Sequence, residues 1–186
     1  MKRIAVLLAD GFEEVEAITP IDFLRRAGVE VPVVGVTGDL VTGGHSIRVR
    51  SDIVINQVDD QFIANLDGVV VPGGTDGAEN IAANDRAMGL IRHCLDAGKL
   101  VAALCAAPGV VLGANGLLTG RRFTCYPGFE TRVENGEFSE DRVVVDGNLI
   151  TSRGPGTAAE FTLAIIRYLV GEEASSNLHR RTLQPG

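Results

Sequence analysis

Short apolar runs recur along the chain and alternate with amphipathic segments. A short, continuous apolar run is typical of a strand that is buried on both faces. We predict such strands at residues 3–9, 29–36, 67–71 and 100–104. A further short strand is predicted at 122–125, and the segments 142–145 and 149–151 flank Asp146-Gly147-Asn148 in the pattern of a hairpin.

Between these runs, apolar residues recur at helical spacing. We predict helices over residues 13–27, 80–98, from the turn after Leu104 to about Asn115, and 158–170. Pro20 is expected to kink the first helix or to begin a second segment. Gly43-Gly44 lies between β-prone residues and predicts a small antiparallel hairpin within 39–52. The polar residues past Asn177 are expected to be loosely held.

Strands that alternate with helices predict an α/β fold, a three-layer sandwich with a mostly parallel sheet and one small antiparallel excursion. We expect residues 1–186 to form a single domain. Ligands of such folds bind outside the carboxyl ends of the strands. The turns that follow Ala9, Val71, Leu104 and Thr151 should therefore converge on one site.

Charge and cysteine usage narrow the classes of function. The net charge is −7 and basic residues form only short pairs, which argues against nucleic acid as the main partner and against an anionic membrane surface. No apolar run is long enough to span a bilayer, and the start of the chain resembles a first strand rather than a signal peptide. Three Cys residues form no disulfide framework and no zinc spacing, so we expect a reducing cytoplasm and no metal.

Cys105 stands where the apolar run 100–104 gives way to small residues and then Pro108. Pro fits the first turn of a helix, so Cys105 is predicted to lie on a strand-to-helix turn. Such a turn lifts the side chain out of the sheet, and the helix dipole should stabilise its thiolate. Cys105 is therefore a candidate nucleophile. The alternative is a small, buried, apolar cysteine.

Two other turns carry residues that suit this chemistry. Glu16 lies one helical turn after Glu13 and can approach Cys105 as a general acid or base, although it can equally be one more solvated helix acid. Gly73-Gly74 follows a buried strand and can offer backbone N–H groups as an oxyanion hole, or can simply form a tight turn. Neither a Walker A loop nor a GxGxxG opening is present, so we expect no nucleotide cofactor.

The turn at 151–157 and the end of the strand at 122–125 give weaker signals. Ser152 or Thr157 can cap the last helix, and Arg153 can hold an acidic partner, but a purely structural cap explains the turn as well. Tyr126 can approach the Cys105 turn. No His lies near any of the four turns in sequence, so a Cys-His-Asp triad has no local support.

Four motifs occur together and in order: GFEEVEA, VVVPGGTDGAEN, AALCAAPGVVL and TSRGPGTAAEFTLAII. In this set the chain resembles the ThiJ/PfpI superfamily, and within it the DJ-one/YajL-like branch. The resemblance implies a flavodoxin-like α/β sandwich and a cytoplasmic homodimer. It also implies a reactive Cys105, an acid at Glu16 that hydrogen-bonds it, and backbone amides that face the site. These amides belong to Gly73, Gly74 and Ala106, and a stretch with Ser152, Arg153 and Pro155 frames the site and approaches the dimer partner.

Two departures from the family pattern limit what the resemblance implies. Tyr126 stands where the DJ-one protein has His, which weakens a reading as an imidazole-dependent protease. Asn56 stands where that protein has an additional Cys, so a redox role of that Cys does not transfer. Cys125 can act instead as a resolving thiol, or can be a buried, inert one.

The resemblance implies a glyoxalase or deglycase that needs no glutathione and no cofactor. Its substrates would be small dicarbonyls such as methylglyoxal and glyoxal, or glycated side chains, and its products lactate or glycolate. We assign Cys105 and Glu16 as catalytic residues. The residues that we assign to oxyanion or substrate binding are Gly73, Gly74, Ala106, Tyr126 and Arg153. The alternative is an oxidative-stress sensor or holding chaperone that works through an oxidisable Cys. A third reading is a peptidase or amidohydrolase.

Overall fold

A computed structural model describes residues 1–185. In chain order, the strands are β1 Ile4–Leu8, β2 Val33–Gly35, β3 Leu40–Thr42, β4 Arg48–Arg50, β5 Ile53–Val54, β6 Gly68–Val71, β7 Leu100–Leu104, β8 Arg122–Phe123, β9 Glu137–Phe138, β10 Val143–Asp146 and β11 Leu149–Ser152. The helices are α1 Glu14–Arg26, α2 Asp60–Ala64, α3 Thr75–Ala82, α4 Asp85–Asp96, α5 Ala158–Leu169 and α6 Glu172–Arg181. A π-helical segment, Pro108–Leu112, follows β7.

The central sheet has the strand order β10-β11-β7-β6-β1-β2-β5. All neighbouring pairs in it are parallel except β10 with β11. The strands β3 and β4 form the separate antiparallel hairpin that Gly43-Gly44 predicted. The α/β sandwich with a mostly parallel sheet and a small antiparallel excursion is thus confirmed. A short parallel pair, β8 with β9, was not predicted.

Two apolar layers cover the two faces of the sheet, because neighbouring residues of a strand point in opposite directions. Ile4, Val6 and Leu8 pack with α1, α5 and α6 on one face. Ala5 and Leu7 belong to the other layer, with residues of α3, α4 and the π-helical segment. Both sides of β1 are completely buried, as its continuous apolar run predicted.

Pro20 does not begin a second segment, because α1 runs through it as one element, and the expected kink stays a prediction. Two other sequence predictions about the helices were wrong. The predicted helix 80–98 is two helices, because the Asn84 side chain accepts a hydrogen bond from the Ala87 N–H and starts α4 afresh. The polar tail forms α6, which docks on α5 through buried Leu178 and through the Ser175 hydroxyl, a donor to the Leu163 carbonyl.

The sheet order places β11, β7, β6 and β1 side by side, with all four parallel to one another. Their carboxyl ends therefore lie on one edge of the sheet, as the strand pattern predicted. Within residues 1–185, no helix has both the length and the apolar character needed to cross a bilayer.

Candidate active site

Cys105 lies on a sharp turn directly after β7. Its φ angle is +62°, in the left-handed region that costs an L-residue about 1–2 kcal/mol. Two backbone hydrogen bonds hold it there: its N–H donates to the Ser152 carbonyl at 2.9 Å, and its carbonyl accepts from the Tyr126 N–H at 2.9 Å. The side chain is partly exposed, whereas those of Cys94 and Cys125 are buried. The neighbouring strand and loop thus impose a conformation that presents the sulfur.

The segment after Cys105 is a π-helix over Pro108–Leu112 and then a short 3₁₀ turn that ends at Asn115. The predicted end of this helix is correct, but its type differs from the regular helix that we expected. The segment lies tight against its neighbours, because a Cβ at Gly109 would be only 2.5 Å from the Phe129 carbonyl oxygen. Wide turns of this kind occur often at functional sites.

Glu16 is fully buried at the first turn of α1, although it is a carboxylic acid. Its Oε2 accepts a hydrogen bond from the Gly73 N–H at 2.8 Å. Its Oε1 is buried without a hydrogen-bond partner in the described part of the chain. The Cys105 thiol lies against this carboxyl and can share a proton with it. Glu16 is therefore not a solvated helix acid.

Burial is the main cause that raises the pKa of Glu16 to about 7. The interaction with the Cys105 thiol and the hydrogen bond from the Gly73 N–H limit the rise, while the charge of Glu13 adds to it. Burial likewise raises the pKa of the Cys105 thiol, and the adjacent Glu16 carboxylate raises it further. The N–H groups of Ala106 and Gly74 act in the opposite direction but do not outweigh burial. The sequence prediction that the helix dipole lowers the pKa of the Cys105 thiol is thus wrong, because burial and the Glu16 carboxylate raise that pKa.

The three predicted backbone donors have different roles. The Gly73 N–H is already donated to Glu16, so it holds the acid instead of facing a substrate oxygen. The N–H groups of Gly74 and Ala106 favour the ionised form of the Cys105 thiol. A Cβ on Gly73 would lie 2.5 Å from Glu16 Oε2 and 2.6 Å from Cys105 Cβ. The acid and the cysteine therefore meet across a position that has room only for glycine.

Glu14 is the acid whose role the sequence analysis missed. It is buried and accepts hydrogen bonds from the His45 N–H at 2.6 Å and from the Ile47 N–H at 3.4 Å. The His45 ring bonds its other oxygen, with 2.8 Å between Nδ1 and Oε2. The β3–β4 hairpin thus brings a histidine to the start of α1, from a position that local sequence could not indicate.

A potential metal-binding group lies at this place. In residues 1–185, the candidate ligand atoms of Glu13, Glu14 and His45 lie within 4.8 Å of one another. Glu13 already accepts the Glu16 N–H, and Glu14 is bonded to His45 through both oxygens. We therefore interpret the group as the contact that docks the hairpin on α1.

The remaining predicted residues frame the turn from the other side. Tyr126 is about half exposed, and its ring lies over Gly154, where a Cβ would be 3.3 Å from Tyr126 Cδ2. The Arg153 guanidinium lies 5.9 Å from the centre of the Phe138 ring. The Ser152 hydroxyl bonds the Thr157 hydroxyl at 2.6 Å inside the loop. Tyr126 and Ser152 contact Cys105 through backbone atoms, and a contact of Arg153 with substrate stays a prediction.

Cys125 is completely buried, and its Sγ lies 4.0 Å from Glu130 Oε2. Burial and, after it, the Glu130 charge raise the pKa of the Cys125 thiol to about 12, against the opposing effect of Arg153. Of the two sequence readings, this environment favours a buried, inert thiol over a resolving one.

Comparison with known proteins places these features in context. The model of the DJ-1/PfpI family matches residues 2–168. The dj-1beta protein of Drosophila melanogaster is 42% identical over 176 residues, 92% of this chain and 91% of that protein. A deglycase of Pyrococcus abyssi is 37% identical over 157 residues, 83% of this chain and 91% of that protein.

DJ-1 homolog B of Arabidopsis thaliana is 36% identical over 97% of this chain, which spans only 41% of that longer protein. Among solved structures, a mutant of a DJ-1 superfamily protein from Salmonella typhimurium has a TM-score of 0.95 at 36% identity, and the match covers all of both chains. An oxidized DJ-1 from Toxoplasma gondii has a TM-score of 0.94 at 34% identity, with 98% of each chain covered.

Proposed function

This chain belongs to the DJ-1/PfpI family, and from that premise we propose that it is a cysteine-dependent glyoxalase and deglycase. The substrates are methylglyoxal, glyoxal or their early adducts on side chains, and the products are lactate or glycolate. The contact of the buried Glu16 carboxyl with the Cys105 thiol carries the proposal. Two relatives that bear the name deglycase, at 37% and 34% identity, support it.

The pKa values of the Glu16 carboxyl and the Cys105 thiol are both raised, so the reaction starts with a proton transfer from the thiol to the carboxylate. Near neutral pH the Glu16 carboxyl, with a pKa of about 7, is partly ionised and can accept the proton of the Cys105 thiol. The sulfur then attacks the aldehyde carbon of methylglyoxal as its proton moves to Glu16. The developing oxyanion accepts hydrogen bonds from the Gly74 and Ala106 N–H groups and then takes the proton from Glu16. The product is a hemithioacetal.

Glu16 also serves the second half of the reaction. As a carboxylate it removes the hydrogen from the former aldehyde carbon. The hydroxyl proton on that carbon passes to the oxygen of the neighbouring carbon, and Glu16 returns its proton to the neighbouring carbon itself. This transfer converts the hemithioacetal into a lactoyl thioester of Cys105. Water then breaks the thioester, which releases lactate and restores the thiol. The overall change adds one water to methylglyoxal, so no external oxidant or reductant is needed.

The test is lactate formation from methylglyoxal without glutathione. We expect Cys105→Ala to abolish turnover and Glu16→Gln to lower kcat by about 10²- to 10⁴-fold, the usual value of a positioned acid or base. Cys94→Ala is the matched control, because Cys94 is buried in α4 and has no part in the proposed reaction. Full activity of Cys105→Ala would contradict the proposal.

A second candidate function is an oxidative-stress sensor or holding chaperone that acts through Cys105. Cys105 is partly exposed, whereas Cys94 and Cys125 are buried, and the N–H groups of Gly74 and Ala106 suit an oxidised sulfur. Mass spectrometry after mild peroxide distinguishes the two functions. Selective oxygen addition at Cys105 without dicarbonyl turnover would favour the sensor.

The proposed assembly is a homodimer in the cytoplasm. Val15 and Ile18 on α1 and Ile47 beside it are large apolar side chains that are 51%, 42% and 55% exposed. Large apolar side chains that are exposed on one element and beside it support a protein contact. Cys94, Cys105 and Cys125 are free thiols, the form in which a reducing compartment keeps cysteines.

A further inference from the structure

The start of α1 contains a closed ring of three hydrogen bonds. The Glu13 N–H donates to the Gly73 carbonyl at 3.0 Å. The Gly73 N–H donates to Glu16 Oε2 at 2.8 Å, and the Glu16 N–H donates to Glu13 Oε2 at 2.7 Å. Glu13 is therefore hydrogen-bonded both to Glu16 and to Gly73, the residue whose N–H holds the Glu16 carboxyl.

The ring is a rearranged helix cap. In a capping box, the third helical residue turns its side chain back to the N–H of the cap residue. Here Glu13 is the cap and Glu16 the third residue, but the Glu16 side chain points to Gly73 instead. Gly73 then accepts the Glu13 N–H that Glu16 would otherwise have satisfied. This exchange frees the Glu16 carboxyl to reach Cys105.

We propose that Glu13 is a positioning residue that acts through Glu16: its carboxylate fixes the Glu16 backbone and places a negative charge beside the Glu16 carboxyl. The inference rests on the proposed function only in taking Glu16 as the acid of the reaction. The preferred cap residues, Ser, Thr, Asp and Asn, are shorter than Glu. A residue that only caps the helix needs no more than an acceptor oxygen. An effect of the Glu13 charge on Glu16 therefore distinguishes a positioning role from a purely structural one.

The charges around the ring define the expected direction. The negative charge of Glu13 opposes ionisation of Glu16 and adds to the effect of burial. Cys105 faces Glu16 from the turn after β7, while Glu14 on α1 and His45 on the hairpin face Glu13. A protonated His45 offsets part of the Glu13 charge. Removal of that charge should therefore let Glu16 lose its proton at lower pH.

The experiment is an infrared titration of the full chain. The band of the protonated Glu16 carboxyl is identified by its loss in Glu16→Gln. Glu13→Gln keeps an acceptor oxygen without the charge, and we expect its midpoint to fall by roughly 0.5 to 1 pH unit. Glu13→Asp keeps both charge and cap, so its midpoint should stay close to that of the original chain. Glu173→Gln, on the exposed start of α6, is the control for removal of a distant acid.

Two results would overturn the inference: a midpoint in Glu13→Gln equal to that of the original chain, or equal shifts in Glu13→Gln and Glu13→Asp. Dicarbonyl turnover is measured on the same proteins, and its acidic limb should move with the infrared midpoint. Glu13→Ala should lower kcat by about tenfold and leave KM within about threefold, since the acid is misplaced but still present. An infrared shift in a chain without turnover would reject the proposed function and leave the role of Glu13 intact.

Discussion

Gly73 is the residue on which the geometry of the site depends most directly. The Glu16 carboxyl and the Cys105 side chain both crowd the position that a Cβ of Gly73 would take. Its N–H and its carbonyl bond Glu16 and Glu13. A single residue without a side chain thus sets how far apart the acid and the sulfur lie.

Gly73→Ala should therefore reduce activity without removing any catalytic group. The added methyl group would stand 2.5 Å from Glu16 Oε2 and 2.6 Å from Cys105 Cβ, so both must move. A displacement of about 1 Å can cost about a hundredfold in rate. Urea unfolding should show a loss of about 1–3 kcal/mol from the overpacked site.

Gly89→Ala is the matched control for this change. Gly89 lies inside α4, and a Cβ there meets no atom within 4 Å. An alanine in the middle of a helix is favoured over glycine by about 0.5–1 kcal/mol, so this variant should be slightly more stable and fully active. Equal activity of the two variants would disprove the tight approach at Gly73.

At the scale of elements, the β3–β4 hairpin and the start of α1 form one unit. The buried Glu14 carboxylate accepts the N–H groups of His45 and Ile47. The Gly11 N–H donates to the Thr42 carbonyl at 2.8 Å, and the Gly44 N–H donates to the Phe12 carbonyl at 2.8 Å. The hairpin therefore covers the turn that leads into α1, the helix that carries Glu16.

The stability of this unit should depend on pH. The hydrogen bond to Glu14, and next its charge, raise the pKa of His45. A raised His pKa adds stability that is complete below the unfolded value of about 6.5 and is lost as pH rises through the folded value. Burial would raise the pKa of Glu14, but the bonds from His45 and Ile47 lower it overall. The Glu14 contribution is therefore lost only as pH falls below about 4.5.

We predict that His45→Ala destabilises the protein more near pH 6 than near pH 9, as measured by urea midpoints. The control is His179→Ala on α6, because that ring bonds the Pro185 carbonyl instead of a carboxylate. A His45→Ala effect that is independent of pH would mean that the ring acts only by contact.

At the scale of the whole molecule, the exposed apolar face of α1 should decide the assembly. Ile18→Glu places a charge on that face, and sedimentation should show the proposed dimer dissociating at concentrations about a hundredfold higher than for the original chain. Tyr168→Glu is the control, since Tyr168 is a similarly exposed side chain on α5, at 45% against 42% for Ile18. Equal effects of the two variants would exclude α1 from the interface.

Much of the molecule follows from the order of residues alone. The apolar runs determined the buried strands, because a strand covered on both faces needs apolar side chains in both directions. The turn residues determined where the strands end, and Pro108 after small residues indicated the turn at Cys105. The four motif turns share one sheet edge because the strands before them are parallel neighbours.

The sequence could not determine the state of the groups at that edge. Burial of Glu16 and Glu14 arises from the packing of Gly73 and of the hairpin on α1, which are distant in the chain. The dipole argument alone predicted a low thiol pKa, whereas burial and a neighbouring acid raise it. Local residues set conformation through short-range sterics, but ionisation depends on every charge and every water molecule that the folded chain brings near or excludes.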